Sequence, residues 1–114
     1  MAIKPDKKFD NLYKVILRLK DLNEARDFFR DLCTVSELSD LCDRWEIVQM
    51  IEKGVPYRAI AEEIGTSTAT VSRVAFWLAN GTGGYRTMLD RLGLNSDKHQ
   101  PSSISFGKGL RLNN

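Results

Sequence analysis

Between residues 64 and 73 the chain reads IGTSTATVSR, and five of these ten side chains carry a hydroxyl: Thr66, Ser67, Thr68, Thr70 and Ser72. Short hydroxyl side chains let a backbone come close to a surface, and their oxygens both donate and accept. Against DNA the same groups bond phosphates or base edges, and a Thr methyl meets the methyl of thymine. The competing reading is a polar surface turn with no task. Arg58, upstream, would reach a guanine or a phosphate, or else stand as a solvated charge. Chemistry of other kinds has little to stand on. The single histidine, His99, lies near the C-terminal end, and no Ser/His/Asp set or metal-ligand cluster is visible. The glycine-bearing stretch NGTGG at 80–84 lacks the G-K-[ST] ending of a phosphate loop. The expectation is a binding protein, not an enzyme, with no cofactor and no metal. Cys33 and Cys42 are too few and too oddly spaced for a disulfide framework or a zinc site, and read as reduced thiols.

Hydroxyls can face a groove only if some element presents them. Residues 57–76, YRAIAEEIGTSTATVSRVAF, meet the demands of two helices joined by a tight turn. Ala61 is small where the second helix must pass close. Gly65, four residues on, tolerates positive φ. Ile60 and Ile64 flank Ala61, and Val71 and Val74 give the second helix an apolar face at i, i+3 spacing. With those valines inward, Ser67, Thr68, Ala69, Ser72 and Arg73 fall on the outward side and the N-terminal end of the second helix, with Thr66 opening its cap. A recognition helix offers those positions to bases, and its free N–H groups suit a phosphate. An ordinary helical hairpin is the alternative.

The remaining ordered sequence also reads as helical. Residues 9–20 carry a broad apolar stripe that predicts a first helix. Asn23 is placed to cap a second, with Ala25, Phe28, Phe29 and Leu32 on its apolar face. Thr34 and Glu37 have capping-box spacing before a long helix that Gly54 stops, after Leu38, Leu41, Cys42, Trp45, Ile47, Val48 and Ile51 have repeated with helical period. Pro56 suits the first position of the next helix. A last short helix spans GYRTMLDRLG. The expected organisation is a basic N-terminal arm (1–8), an all-α domain of six helices (9–93, with the helix-turn-helix at about 56–79) and a flexible tail (94–114). Phe28, Phe29, Trp45, Phe76, Trp77 and Tyr85 are many large apolar side chains for short helices to bury in one copy. A core shared between two chains would solve this.

The length of 114 residues fits one small domain. No apolar run approaches the roughly 20 residues that span a bilayer, and the N-terminus shows no signal-peptide core. No membrane partner is expected, and the expected location is the cytoplasm. Charge is uneven. Residues 1–20 hold six basic against two acidic side chains, 64–114 again six against two, and 21–63 five against eleven. Basic ends would suit phosphates; scatter over solvated helix faces explains the same counts.

With the long capped helix placed before the motif, the sequence resembles the Trp repressor family over about residues 32–92. LCTVSELSDLCDRWEIVQMI, AEEIGTSTATVSR and a final LDRL carry the likeness. The resemblance implies an intertwined homodimer whose two heads bind successive major grooves of a palindromic operator in double-stranded DNA. It also implies a tryptophan corepressor held between two arginines, matched here by Arg44 and Arg73, with Thr34 matching a pocket threonine and Arg58 a DNA-contacting arginine. Two positions depart from the pattern. A glycine on the floor of the indole slot is replaced by Val74, and a serine that bonds the ligand's amino group by Trp77. These departures predict that free L-tryptophan binds weakly or not at all, that Trp77 partly fills the pocket, and that any effector is a different small molecule. The expected function is a dimeric, sequence-specific transcriptional regulator, a repressor by resemblance. The alternative is a helical protein-interaction module that has kept the scaffold without specific DNA binding, a reading the acidic pair Glu62–Glu63 favours.

Overall fold

Each helix of this chain begins where a backbone N–H finds a side-chain or carbonyl acceptor, and those acceptors set the boundaries. The structure is a computed structural model that describes residues 6–96, in which there are six α-helices and no strand. Helix α1 (Lys7–Ile16) starts at Asp6, whose carboxylate accepts from the Lys8 N–H at 2.8 Å. It therefore begins and ends earlier than the 9–20 expected. A carboxylate cap at the positive helix end holds the start. At the other end the N–H groups of Arg18 and Leu19 bond only three residues back, to Val15 and Ile16 at 2.9 and 3.1 Å. That tightening closes the α-helix and leaves Leu17 80% exposed, off the apolar stripe.

Helix α2 (Leu22–Leu32) is capped by Asp21, not by Asn23. The Asp21 carboxylate accepts from the Glu24 N–H at 2.9 Å, and Glu24 accepts in turn from the Lys20 N–H at 2.9 Å. Asn23 lies inside the first turn and accepts from Arg26. Helix α3 (Val35–Glu52) carries the expected capping box: Thr34 Oγ1 accepts from the Glu37 N–H at 3.0 Å and Glu37 Oε1 from the Thr34 N–H at 2.9 Å. It ends at Gly54, φ 84°, with paired bonds from Val55 to Met50 and from Gly54 to Ile51.

Helices α4 (Tyr57–Ile64), α5 (Thr68–Asn80) and α6 (Gly84–Arg91) follow. Pro56 sits one position outside α4, as its N-cap, because its ψ of 144° is extended. After α6 the chain turns at Gly93 (φ 73°), with Leu94 N–H bonded to the Leu89 carbonyl and Gly93 N–H to that of Asp90.

The chain divides into two compact units, the break falling within α3 between Trp45 and Glu46. Among the described residues, every buried hydrophobic one belongs to the second unit: Ile47 and Val48 from the end of α3, Ile60 and Ala61 from α4, Val71 and Val74 from α5, and Leu89 from α6. Neither α1 nor α2 buries a residue. Of the apolar positions expected along α3, only Ile47 and Val48 are fully covered, and Leu41 is 45% exposed.

The expected N-terminal arm over 1–8 includes Lys7 and Lys8, which open α1; its residues 1–5 lie outside the described residues. The expected tail over 94–114 lies outside them from residue 97, His99 included. Asn95 is buried and its amide bonds the Asp90 carboxylate.

Candidate nucleic-acid interface

The turn between α4 and α5 takes three residues, and each is chosen by its backbone or its hydroxyl. Gly65 has φ 85°, a left-handed conformation that costs a side-chain-bearing residue about 1 kcal/mol or more. The N–H groups of Gly65 and Thr66 both bond the Ala61 carbonyl at 2.9 Å, so the small residue in α4 also anchors the turn. Thr66 does not open the cap of α5. Ser67 does: its backbone is extended and its hydroxyl accepts from the Thr70 N–H at 3.1 Å while bonding the Thr70 hydroxyl at 3.2 Å. Ser67 binds at that position because only an extended residue can turn its oxygen back over the first helical turn.

Ile60 and Val71 are fully buried, and Ala61 and Val74 nearly so. Helices α4 and α5 pack on each other more extensively than any other pair among the described residues. The burial of these four residues decides what faces out. Thr68, Ala69, Ser72 and Arg73 are all exposed, as are Arg58, Glu62 and Glu63 on α4. Thr66 and Thr70 are half-buried. Of the six residues expected to meet DNA, Thr66 and Ser67 differ from the other four in their surroundings. The Ser67 hydroxyl is committed to its cap, and Thr66 is partly withdrawn. Arg58, Thr68, Ala69 and Ser72 keep free outward faces.

The exposed side of α5 continues past Arg73 into Phe76 and Trp77, 55% and 50% exposed, with rings edge to face at 5.3 Å. Gly81 follows because a Cβ there would lie 2.5 Å from the Trp77 carbonyl oxygen. Of the residues matched to a corepressor pocket, Arg73, Val74 and Trp77 belong to the second unit, and Thr34 and Arg44 to the first. The Thr34 hydroxyl is the cap of α3. Arg44 lines an open groove of about 390 Å³ with Leu12, Leu32, Cys33, Glu37, Asp40 and Leu41. Val74 is a core residue, which accounts for its departure from glycine by packing alone.

One constellation has no counterpart in the sequence reading. At the end of α3 the Glu52 carboxylate accepts two bonds from the Arg86 guanidinium, at 2.8 and 2.9 Å, and two from Ser96, its N–H at 2.8 Å and its hydroxyl at 3.0 Å. The Glu52 side chain is only 8% exposed, that of Arg86 41%. The Arg86 hydrogen bonds hold the Glu52 carboxyl below the usual glutamate range; burial opposes this, and the Ser96 bonds reinforce it. Partners 34 and 44 residues apart leave no local pattern to read. Among the described residues no group of acidic, Cys or His side chains is arranged to hold a metal ion, and no helix is long and apolar enough to cross a membrane.

Fold and site together define an all-α protein whose α4–α5 pair keeps one side exposed. The family described as Trp repressor protein matches residues 7–93, and the chain belongs to that family. It is 45% identical over 86 residues to the Bacillus subtilis protein YerC, described as uncharacterised, across 75% of this chain and 83% of YerC. It is also similar to the crystal structure of a TrpR-like protein from Eubacterium eligens, with 43% identity and a TM-score of 0.76, over 79% of this chain and 93% of that one.

Proposed function

We propose that the protein is a sequence-specific DNA-binding transcriptional regulator that acts as a homodimer on a palindromic operator, with α5 as the recognition helix. The observation that carries this reading is the division of α5 into two sides. Val71 and Val74 are buried, as are Ile60 and Ala61 on α4, while Thr68, Ala69 and Ser72 are exposed at the helix's N-terminal end. That is the end from which such helices read base edges in a major groove. Arg58 reads a guanine or holds a phosphate from α4. Membership in the Trp repressor family supports repression as the sense of regulation. Val74 in the core and an indole at Trp77 support an effector other than tryptophan, if the protein takes one.

A selection of bound sequences from random or genomic DNA tests the reading. The full chain should enrich a palindrome, and its affinity for it should fall steeply as salt rises, because each phosphate contact releases counterions. Arg58→Ala should then weaken the selected site by ~1–3 kcal/mol if it reads a base. No enrichment from any pool sinks the proposal. The second reading, a protein-interaction module, draws on exposed Glu62 and Glu63 beside the turn, which would repel phosphates. It forecasts no salt-sensitive DNA binding at all.

A further inference from the structure

The bonds from Glu52 to Arg86 span 34 residues of chain. That stretch contains α4, the turn, α5 and the two short links that tie them to the rest of the protein. Glu52 is the last residue of α3, at the point where the chain leaves for α4; Arg86 lies in the first turn of α6, just after it returns from α5. Both links carry glycines in left-handed conformation, Gly54 in the first and Gly83 in the second. Glycine resists rotation less than any other residue. Helices α4 and α5 pack chiefly on each other. The pair belongs to one compact unit with the end of α3 and with α6, which supply buried Ile47, Val48 and Leu89. That apolar packing carries little angular preference, so a directional contact between the two links can fix the pair's direction. We propose that the Glu52–Arg86–Ser96 clasp is the neck of the α4–α5 pair, and that Glu52 is a positioning residue for sequence-specific DNA binding, on the functional reading given above.

The chemistry of the clasp suits that role better than it suits stability. A bidentate guanidinium–carboxylate pair fixes direction as well as distance, because both groups are planar. Ser96 adds two bonds from a third segment, both to Oε2, which also accepts from one Arg86 nitrogen while Oε1 accepts from the other. With the Arg86 side chain 41% exposed the pair is screened on one side and adds little stability, and the best-attested use of such pairs is to select one arrangement among several. A clasp that merely held the domain together could have been apolar. A clasp that must hold one angle benefits from being directional.

The test compares Glu52→Gln and Arg86→Lys with the wild-type full chain, each confirmed folded by circular dichroism at the assay temperature. Arg86→Lys keeps the charge and loses the planar fork. Two quantities are read: the ratio of affinity for the selected palindrome to affinity for unrelated DNA, and amide hydrogen exchange along the chain. A loosened neck should lower the ratio by about tenfold, one charge-assisted hydrogen bond's worth of pre-organisation. Binding to unrelated DNA by Arg86→Lys should be unchanged, since no charge is altered. Exchange should quicken through α4 and α5 relative to Ile47 and Val48. An unchanged ratio with unchanged exchange in the folded variants overturns the proposal. If Glu52→Gln does not fold, Arg86→Lys and Ser96→Ala carry the same comparison. If the wild-type chain shows no sequence preference, the regulator reading fails on its own. Exchange then decides the neck: uniform exchange in Arg86→Lys overturns it, and quickening confined to α4 and α5 supports it.

Discussion

At the scale of single residues, the stretch IGTSTATVSR separates into builders and candidate readers. Gly65 and Ser67 build. Replacing Ser67 with Ala removes the acceptor for the Thr70 N–H and should cost ~1 kcal/mol in chemical denaturation. Thr66→Ala, which takes away no cap, should cost under ~0.5 kcal/mol. Equal losses at the two positions would place the cap wrongly. Gly65→Ala should cost about 1–2 kcal/mol, since φ of 85° is strained for alanine although no atom stands in its way. The glycine and the valines were legible because each answers a local rule of backbone or period. Choosing Ser67 over Thr66 was not: both residues can cap, and ψ decides between them. Val74 makes a further case. The residue is 5% exposed in the core, where the family resemblance expects a glycine. Titration calorimetry with L-tryptophan should therefore show no heat of micromolar binding, and a clear micromolar isotherm would overturn that expectation.

At the scale of elements, six helices are readable, along with the joints whose partners are local. Amphipathic period and the Thr34–Glu37 box announce α3 from the sequence alone, since every partner lies within four residues. The apolar pattern overruns the end of α1, because leucines at 17 and 19 extend a period that the backbone has already left. The clasp at Glu52 was invisible, joining α3 to α6 and to Ser96 over separations that no window covers. It makes a pH prediction. Its folded pKa lies below the unfolded value, so the clasp's stabilisation is complete above the ordinary glutamate pKa and is lost as pH falls through the folded one. Glu52→Gln should flatten the acid limb of a stability–pH curve in that window. At neutral pH it should cost only about 1 kcal/mol, because the Arg86 side of the pair is open to water and screened. An acid limb identical in both proteins would assign the transition to other carboxylates.

The whole molecule poses a problem that neither scale below it solves. All the buried hydrophobic residues among those described belong to the second unit, while α1 and α2 bury none. Yet both helices carry apolar faces: Phe9, Leu12, Tyr13 and Leu32 are each at least a third exposed, and so is Leu41 on α3. A helix stays folded in water mainly by covering its apolar stripe, since short isolated helices are marginal. These exposed apolar faces support the proposal that the N-terminal half associates with a partner, as does the number of large apolar side chains in the sequence. A second copy is the partner proposed here. Sedimentation equilibrium should give a mass near twice 12.9 kDa, and the melting temperature should rise with protein concentration, as it does when folding and association are linked. Leu41→Asp separates this from a stable monomer. At a position 45% exposed in one chain, a monomer should tolerate the change within about 0.5 kcal/mol. In a dimer the same carboxylate is carried into an apolar interface without a counter-charge, and association should weaken by tenfold or more. A Leu41→Asp protein with unchanged mass and melting curve would locate the partner surface elsewhere.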